Sequence, residues 1–314
     1  MTPHQEADAS TVSVVVPAQR AGALLARQLD ALASQQNAPA FTVLVVLDIN
    51  DPGASLVSSY QDRLSISSVE ASMRGAGFAR NLGAAGCDGS ILLFCDADDV
   101  VGPGWVRGMA AEVKRTGVCG SAMRVEWNDC PKWARPFYEP LDHSSLQLFY
   151  DVAEFVVSAS LGIERTLFDA VGGFDDSFTA AGGEEVDLCI RVAKLRSQQP
   201  GSDAVSFGEA SDDSAIVSYL PRLTFRSIAR QRAGYSRGEA RVIVKHHIEA
   251  VGTVASIDRK RLISFSRSPR WLIVSAWSFV VLRRELRRLR AASFGGTGKG
   301  ATPVRSTTSD PTAQ

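Results

Sequence analysis

The sequence has little that marks a disulfide-stapled, secreted or membrane-spanning protein. Its five cysteines, Cys87, Cys95, Cys119, Cys130 and Cys189, are odd in number and show no paired metal-ligand spacing. Set mostly in apolar stretches, they read as reduced thiols of a cytoplasmic protein with no catalytic role. Charge of one sign is not in excess: 34 Lys and Arg meet 34 Asp and Glu, so no whole-chain field attracts nucleic acid and none is expected as a partner. Residues 1–10 are polar and acidic, without the apolar stretch behind a basic start that marks a secretory signal, and are expected to be disordered. The apolar run Trp271–Leu282 is too short to cross a bilayer. What remains is a globular composition, 45% hydrophobic and 22% charged over 314 residues, enough for one domain of a little over 200 residues and an appendage.

The most informative stretch is Ile91-Leu92-Leu93-Phe94-Cys95-Asp96-Ala97-Asp98-Asp99, where an apolar run ends in three carboxylates. So short a run reads as a strand buried on both faces, and its acids fall where open α/β sheets bind ligands. Three carboxylates in a small space raise one another's pKa unless a counter-charge is supplied. A divalent cation, Mg²⁺ or Mn²⁺, with phosphate oxygens completing its shell, would supply it. The alternative is that Asp98 and Asp99 cap the helix announced by Pro103 and Trp105.

Around this stretch strands and helices alternate. Thr11–Val16 is a β-branched run stopped by Pro17; Ala21–Ser34 carries Leu24, Leu25, Leu29 and Leu32 at helical spacing, with Arg27, Gln28 and Asp30 as its polar side. Phe41–Leu47 is a second buried strand before the turn Asp48–Gly53, Ser55–Arg63 an amphipathic segment, and Leu64–Val69 a third strand. This rhythm means a parallel sheet with right-handed crossovers, the pattern of a nucleotide-binding half. Arg74 and Arg80, in a glycine-spaced loop passing into a helix, suit a phosphate or are solvated charges. Further on, Trp105–Lys114 reads as helix, Val118–Trp127 as strand, and the aromatic, proline-rich 128–143 as a lid or a packed insertion. Phe155–Ile163 reads as another buried strand and Glu164–Val171 as a helix.

The second acidic cluster, Gly183-Glu184-Glu185-Val186-Asp187, opens a helix whose inward stripe is Val186, Ile190 and Ala193, so that Glu184 and Glu185 point back toward the loop. Residues 197–214 read as a mobile excursion, Ala215–Leu220 as a strand, and 222–241 as a basic stretch. After Trp271–Leu282 come Arg283, Arg284, Arg287, Arg288 and Arg290 with Glu285 as the lone acid, which suits a helix in the interface of an anionic membrane or an amphipathic helix packed on the domain. From Ala291 the tail is expected to be disordered.

Taken in order, these features resemble the inverting, metal-dependent glycosyltransferases of family 2 with the GT-A fold, over roughly residues 11–235. Val12–Ala18 looks like the family's opening strand, with Pro17 and Ala18 at the nucleotide; Val45–Asp51 is similar to its second strand and acidic turn, where Asp48 would read the base. Ala79–Gly83 looks like the segment before the metal strand, and Asp96-Ala97-Asp98 fits the Asp-X-Asp motif. Val171–Asp175 and Gly183–Leu188 resemble the acceptor-side glycine turn and acidic pair. The resemblance implies a Rossmann-like α/β fold with a mixed, mostly parallel sheet flanked by helices, a catalytic domain at 11–245, a C-terminal helical segment at 246–290 and a disordered tail at 291–314. It implies Asp98 as metal ligand for Mn²⁺ or Mg²⁺, Asp96, Ala97, Arg74 and Arg80 by the nucleotide sugar, and Glu185 as base with Glu184 in reserve.

The chain departs from the family pattern in three places: Leu47 and Ile49 around Asp48, Glu185 where Asp is commoner, and the stretch Leu223-Thr224-Phe225-Arg226 where a histidine often stands, with Arg226, Arg230 or Arg232 as substitutes at the diphosphate. The expected reaction moves a sugar from a nucleotide-diphosphate donor to a hydroxyl of a saccharide or lipid-linked acceptor in cell-envelope or polysaccharide synthesis, in the cytoplasm or peripherally at the inner face of the plasma membrane. Two alternatives weigh against it. A nucleotidyltransferase would want a glycine-rich, basic loop where Pro17–Gly22 stands; a catalytically silent GT-A domain would serve as a membrane-associated scaffold.

Overall fold

The computed structural model describes residues 11–19, 22–150, 152–179, 182–198, 206–248 and 269–295. Of the segments expected to be disordered, 1–10 and the part of the 291–314 tail beyond 295 lie outside them, as does 249–268 within the C-terminal segment; residues 291–295, expected to open the tail, instead continue the last helix, Pro269–Gly295.

Long β-branched and apolar runs form the sheet. β1 (Val12–Ala18), α1 (Ala23–Ala33), β2 (Phe41–Leu47), α2 (Ala54–Ser58), β3 (Ile66–Glu70), α3 (Ala76–Ala85) and β4 (Ile91–Cys95) make the alternating half, with β1–β4 all parallel. There follow β5 (Val100–Val101), α4 (Trp105–Thr116), β6 (Val118–Gly120), β7 (Ala122–Val125), β8 (Leu146–Phe149), β9 (Ala153–Val156), β10 (Ser160–Glu164), α5 (Arg165–Ala170) and α6 (Glu184–Ser197). β11 (Gly208–Glu209), β12 (Ile216–Tyr219), α7 (Phe225–Lys245) and α8 (Pro269–Gly295) come last among the described residues. The main sheet has the order β11-β6-β10-β4-β1-β2-β3, in which β10 alone runs against its neighbours. A smaller sheet, β5-β12-β7, and the hairpin β8-β9 stand beside it.

Side chains alternate across each strand, so Val14 and Val16 join α1 and α4 in one core while Val15, Leu92 and Phe94 join Phe168, Phe174 and Leu188 in the other. Both faces are covered, which is why the strands read as continuous apolar runs.

Several elements depart from expectation. β1 runs through Pro17 to Ala18, because its pairing with β4 ends at Val15 while that with β2 continues, leaving Pro17 an edge on one side. The strand expected over 118–127 splits at buried Ser121, whose N–H donates to Ser145 Oγ and whose hydroxyl meets Ser160 Oγ, sending β6 and β7 into different sheets. The strand expected over 155–163 likewise divides into hairpin strand β9 and antiparallel β10. Part of the 197–214 excursion is ordered, as β11 on the edge beside β6.

The 128–143 segment is a packed insertion. Its Cys130, Ala134 and Tyr138 are buried with Ile228 of α7 and Val274 of α8. α8 runs alongside α7, burying Trp271, Val274, Ser278 and Leu282 at helical spacing, while Leu282, Phe279 and Leu286 join Ala240, Val242 and Ile243. In α6 the stripe is wider than expected: Val186, Leu188, Cys189, Ile190 and Val192 are buried, and Ala193 is exposed.

Candidate active site

Parallel strands deliver their carboxyl ends to one edge. There the Asp48 N–H donates to the carbonyl of Ala18 at 2.9 Å, which joins the ends of β2 and β1. The Asp48 carboxylate accepts from Gln19 Nε2 at 2.7 Å and lies 3.8 Å from Nε of exposed Arg74. Next along the edge is the acidic turn after β4. Gln28, fully buried in α1, fixes its shape: Nε2 donates to the Asp96 carbonyl at 3.3 Å, and Oε1 accepts from the Val101 N–H at 3.0 Å. Ala97 points into the core beneath the turn, so its backbone is what the site can use.

Ligand oxygens of Asp96, Asp98 and Asp99 lie within 4.8 Å of one another. Asp99 is buried; Oδ1 accepts from the Leu220 N–H at 3.1 Å, while Oδ2 has no partner among the described residues. Burial, then the charges of Asp96 and Asp98, holds the Asp99 carboxyl well above the carboxylate range. Burial and Asp96 raise Asp98 too, against Arg222, whose Nη2 reaches Asp98 Oδ2 at 2.9 Å. Clustered hard oxygens with one buried lone pair unmet fit a divalent cation of the Mg²⁺ or Mn²⁺ kind. The helix-cap alternative fails: β5 separates the acids from α4, whose N-cap is Gly104 with no side-chain bond.

α3 ties this edge to the second acidic cluster. Arg80 is 3% exposed, and its guanidinium donates to Asp96 Oδ1 at 2.8 Å and to Glu184 Oε1 at 3.1 Å. Burial opposes its charge, but Asp96, Glu184 and Glu185 together outweigh that and raise its pKa. The next residue, Asn81, donates to the Phe174 carbonyl and accepts from the Phe174 N–H, both at 2.8 Å, fixing the glycine turn. Gly182 and Gly183 take φ of +99° and +93°, and α7 crosses above them so closely that a Cβ on Gly238 would stand 1.7 Å from the Gly182 carbonyl.

The two glutamates differ in surroundings. Glu184 is buried and both its oxygens are engaged, Oε2 by the Gly182 N–H at 2.8 Å. Glu185 keeps Oε2 without a partner among the described residues, and burial followed by the Glu184 charge raises its pKa well above the ordinary value. A carboxylate so placed is more basic, once ionised, than an ordinary glutamate.

Thus one edge gathers Pro17, Ala18, Asp48 and Arg74, the acidic turn, and, through Arg80, the acids of α6. Arg80 faces carboxylates here rather than open solvent. Of the basic stretch after β12, Arg222 is the residue that meets the acidic turn; Arg232 lies over the rings of Phe137 and Tyr235 at 5.5 and 5.7 Å, and Arg226 and Arg230 are exposed. Within Leu223–Arg226, the stretch where the family often carries a histidine, Thr224 caps α7 in a reciprocal pair with Ser227. Gln28 and Arg222 were not singled out from the sequence; a glutamine on the apolar stripe beside Leu25, Leu29 and Leu32 was the available signal for the first.

Residues 13–172 match the family described as Glycosyl transferase family 2. Validoxylamine A glucosyltransferase from Streptomyces hygroscopicus subsp. limoneus is 28% identical across 58% of this chain and 47% of its own length; the protein of the same name from S. hygroscopicus subsp. jinggangensis (strain 5008) is also 28% identical, covering 58% and 51%. The chain therefore spans about half the length of the curated relatives it matches. Among solved structures, S. aureus TarS 1-349 in complex with UDP-GlcNAc superposes with a TM-score of 0.51 at 15% identity, covering 91% of this chain and 92% of that one. Mannosyltransferase PcManGT from Pyrobaculum calidifontis, in complex with GDP-Man and Mn²⁺, gives 0.52 at 18% identity, covering 93% and 76%. At these identities the likeness speaks for the fold, and it agrees with the expected mixed, mostly parallel GT-A sheet flanked by helices.

Proposed function

The chain belongs to glycosyl transferase family 2, and from that premise we propose that it moves a sugar from a nucleotide-diphosphate sugar to an acceptor hydroxyl, with inversion and with the help of a divalent cation. The observation that carries this reading is the Arg80 bridge. One buried guanidinium holds an acid of the β4 turn and an acid of the α6 turn together, so a donor site and a base share one edge of the sheet.

Asp48, with Gln19 and Arg74 beside it, is the acceptor for N–H groups of the base. A cation held by Asp98, with Asp99 and Asp96 alongside, would neutralise charge on the departing diphosphate. Arg222 stands at the same turn with a guanidinium suited to phosphate oxygens. Glu185 takes the acceptor hydroxyl's proton onto Oε2 as that oxygen bonds to the anomeric carbon and the bond from that carbon to the diphosphate oxygen breaks on the opposite face. One displacement with one base inverts the centre, and no nucleophilic carboxylate takes part.

The complexes of the structural neighbours, with UDP-GlcNAc in one and GDP-Man and Mn²⁺ in the other, support a nucleotide-sugar donor and a divalent cation here. The acceptor in this reading is a saccharide or lipid-linked hydroxyl of cell-envelope synthesis, and the place of work is the cytoplasm or the inner face of the plasma membrane.

Calorimetric titration with UDP, GDP and dTDP, in Mn²⁺ and in chelator, tests it on the wild type and Asp98→Ala. Binding of one nucleotide that needs the metal and is lost in the variant supports the reading and names the base. If none of the three binds in either condition, the chain is a silent scaffold on the same fold.

A further inference from the structure

Among the described residues no helix is long and apolar enough to cross a membrane. α8 nonetheless has two faces, and its outer one is unusual. While Trp271, Val274, Ser278 and Leu282 are buried, Ile273 is 58%, Trp277 43% and Val280 60% exposed. Their spacing of four and three residues continues to Arg284 and Arg287, which are also exposed, so one stripe is apolar in its first half and cationic in its second. Arg283, Arg288 and Arg290 flank the cationic half. Its one acid, Glu285, is already bound by Arg288 Nε at 3.0 Å, and the Arg283 guanidinium rests over the Phe279 ring at 4.6 Å. On α7, which runs alongside, exposed Arg237 adds to the same field.

We propose that the outer face of α8 is a docking surface for an anionic lipid bilayer, with Ile273, Trp277 and Val280 seated at the boundary of headgroups and acyl chains and the arginines at lipid phosphates. Charge complementarity selects this occupant. A cluster of five arginines beside exposed aliphatic and indole side chains is matched by a surface that is anionic outside and apolar just beneath. A second copy of the chain fits poorly, since three exposed apolar side chains fall well short of the roughly 800 Å² that each partner of a stable interface buries.

The helix is coupled to the candidate active site by a chain of contacts. Trp271 stacks on Phe137 of the packed insertion with ring centroids 5.9 Å apart, Tyr138 of that insertion accepts the Arg222 N–H at 3.2 Å, and Arg222 reaches Asp98. A bilayer under α8 therefore holds the acidic turn at a fixed height above the lipid surface. On the transferase reading, and resting on it, the acceptor hydroxyl belongs to a lipid-linked molecule.

The test uses the full chain and vesicles of phosphatidylcholine with and without phosphatidylglycerol, read by co-sedimentation and by Trp emission. Binding is expected with the anionic vesicles, with a blue shift, and falling as salt is raised. At about 1 kcal/mol per arginine near the surface, Arg284→Gln with Arg287→Gln lowers the partition coefficient by about 30-fold. Trp277→Ala with Val280→Ala removes the blue shift of insertion and weakens binding independently of salt. Because both pairs are exposed, circular dichroism and nucleotide binding stay as in the wild type, which separates this proposal from the donor-site reading. Equal binding to neutral vesicles, no binding to anionic ones, or unchanged partition of both variants overturns it. So does a concentration-dependent dimer that Trp277→Ala with Val280→Ala dissolves, which would assign the face to a second copy.

Discussion

Arg80 and Glu184, 104 residues apart in sequence, meet in a buried pair at 3.1 Å, with Arg80 completing its span at Asp96. Removing a guanidinium from between the buried Glu184 and the half-buried Asp96 leaves their charge uncompensated. Arg80→Ala should lose about 3–5 kcal/mol of stability, measured by urea denaturation. Arg80→Lys should fall between wild type and alanine, since one ammonium cannot reproduce two divergent N–H donors. A loss below about 1 kcal/mol for alanine would show that the bridge is not what joins the two acidic turns.

Glu185 is the proposed base, and its raised pKa gives two opposite expectations for Glu185→Gln. Transfer, or donor hydrolysis where the acceptor is unknown, should fall by about 10²–10⁴-fold, with nucleotide binding retained. Stability at neutral pH should rise, by about 1 kcal/mol, because a buried carboxyl whose folded pKa lies above its unfolded value destabilises the fold as pH rises and it must ionise. In the wild type, activity should climb with pH through a value above the ordinary glutamate range. Thermal melts together with a pH–rate profile check both arms.

Asp187 behaves in the opposite sense. Burial works to raise its pKa, but hydrogen bonds from His246 and Lys245 and the pairing with Arg191 overcome it and bring it to about 2. A folded pKa below the ordinary 3.8 contributes stability that is present above about pH 3.8 and is lost as pH falls toward 2. The amount is about 1–2 kcal/mol. His246→Ala, which removes the 2.8 Å contact to Asp187 Oδ1, should shift that acid transition to higher pH in denaturation curves taken between pH 2 and 5. An unchanged curve would mean that Lys245 and Arg191 suffice.

Gly238 lets α7 pass over the glycines that precede Glu185. Gly238→Ala places a methyl 1.7 Å from a backbone oxygen, which cannot rotate away. We expect a loss of about 2–3 kcal/mol in chemical denaturation and a displaced Glu185, seen as an altered pH–rate profile in whatever protein folds. Gly172→Ala is the control for glycine chemistry without crowding: its φ of +77° strains an alanine, but nothing lies within 4 Å of the added carbon.

Much of the frame was legible in the chain because it is local. The runs Val12–Val16, Phe41–Leu47 and Ile91–Cys95 have the length and composition of strands covered on both faces, and the leucines of α1 have the period of a helix lying on them. An apolar strand that ends in Asp96, Asp98 and Asp99 announces a ligand edge whatever the rest does. Boundaries were less legible where a strand changes sheets, as at Ser121, since the buried hydroxyls that turn the chain come from Ser145 and Ser160.

The sequence by itself determined the elements of the sheet's parallel half and the identity of the two acidic turns, because these depend on period, run length and charge within a few residues. Tertiary structure decided which charges meet. Arg80 read equally well as a phosphate ligand or a solvated charge until Asp96 and Glu184 closed around it; Gln28 read as surface until the turn after β4 claimed both ends of its amide; Arg222 was one arginine among many until β12 set it against Asp98. A partner's charge and its desolvation act through space over a few ångströms, and no pattern within one segment carries the position of a residue a hundred places away.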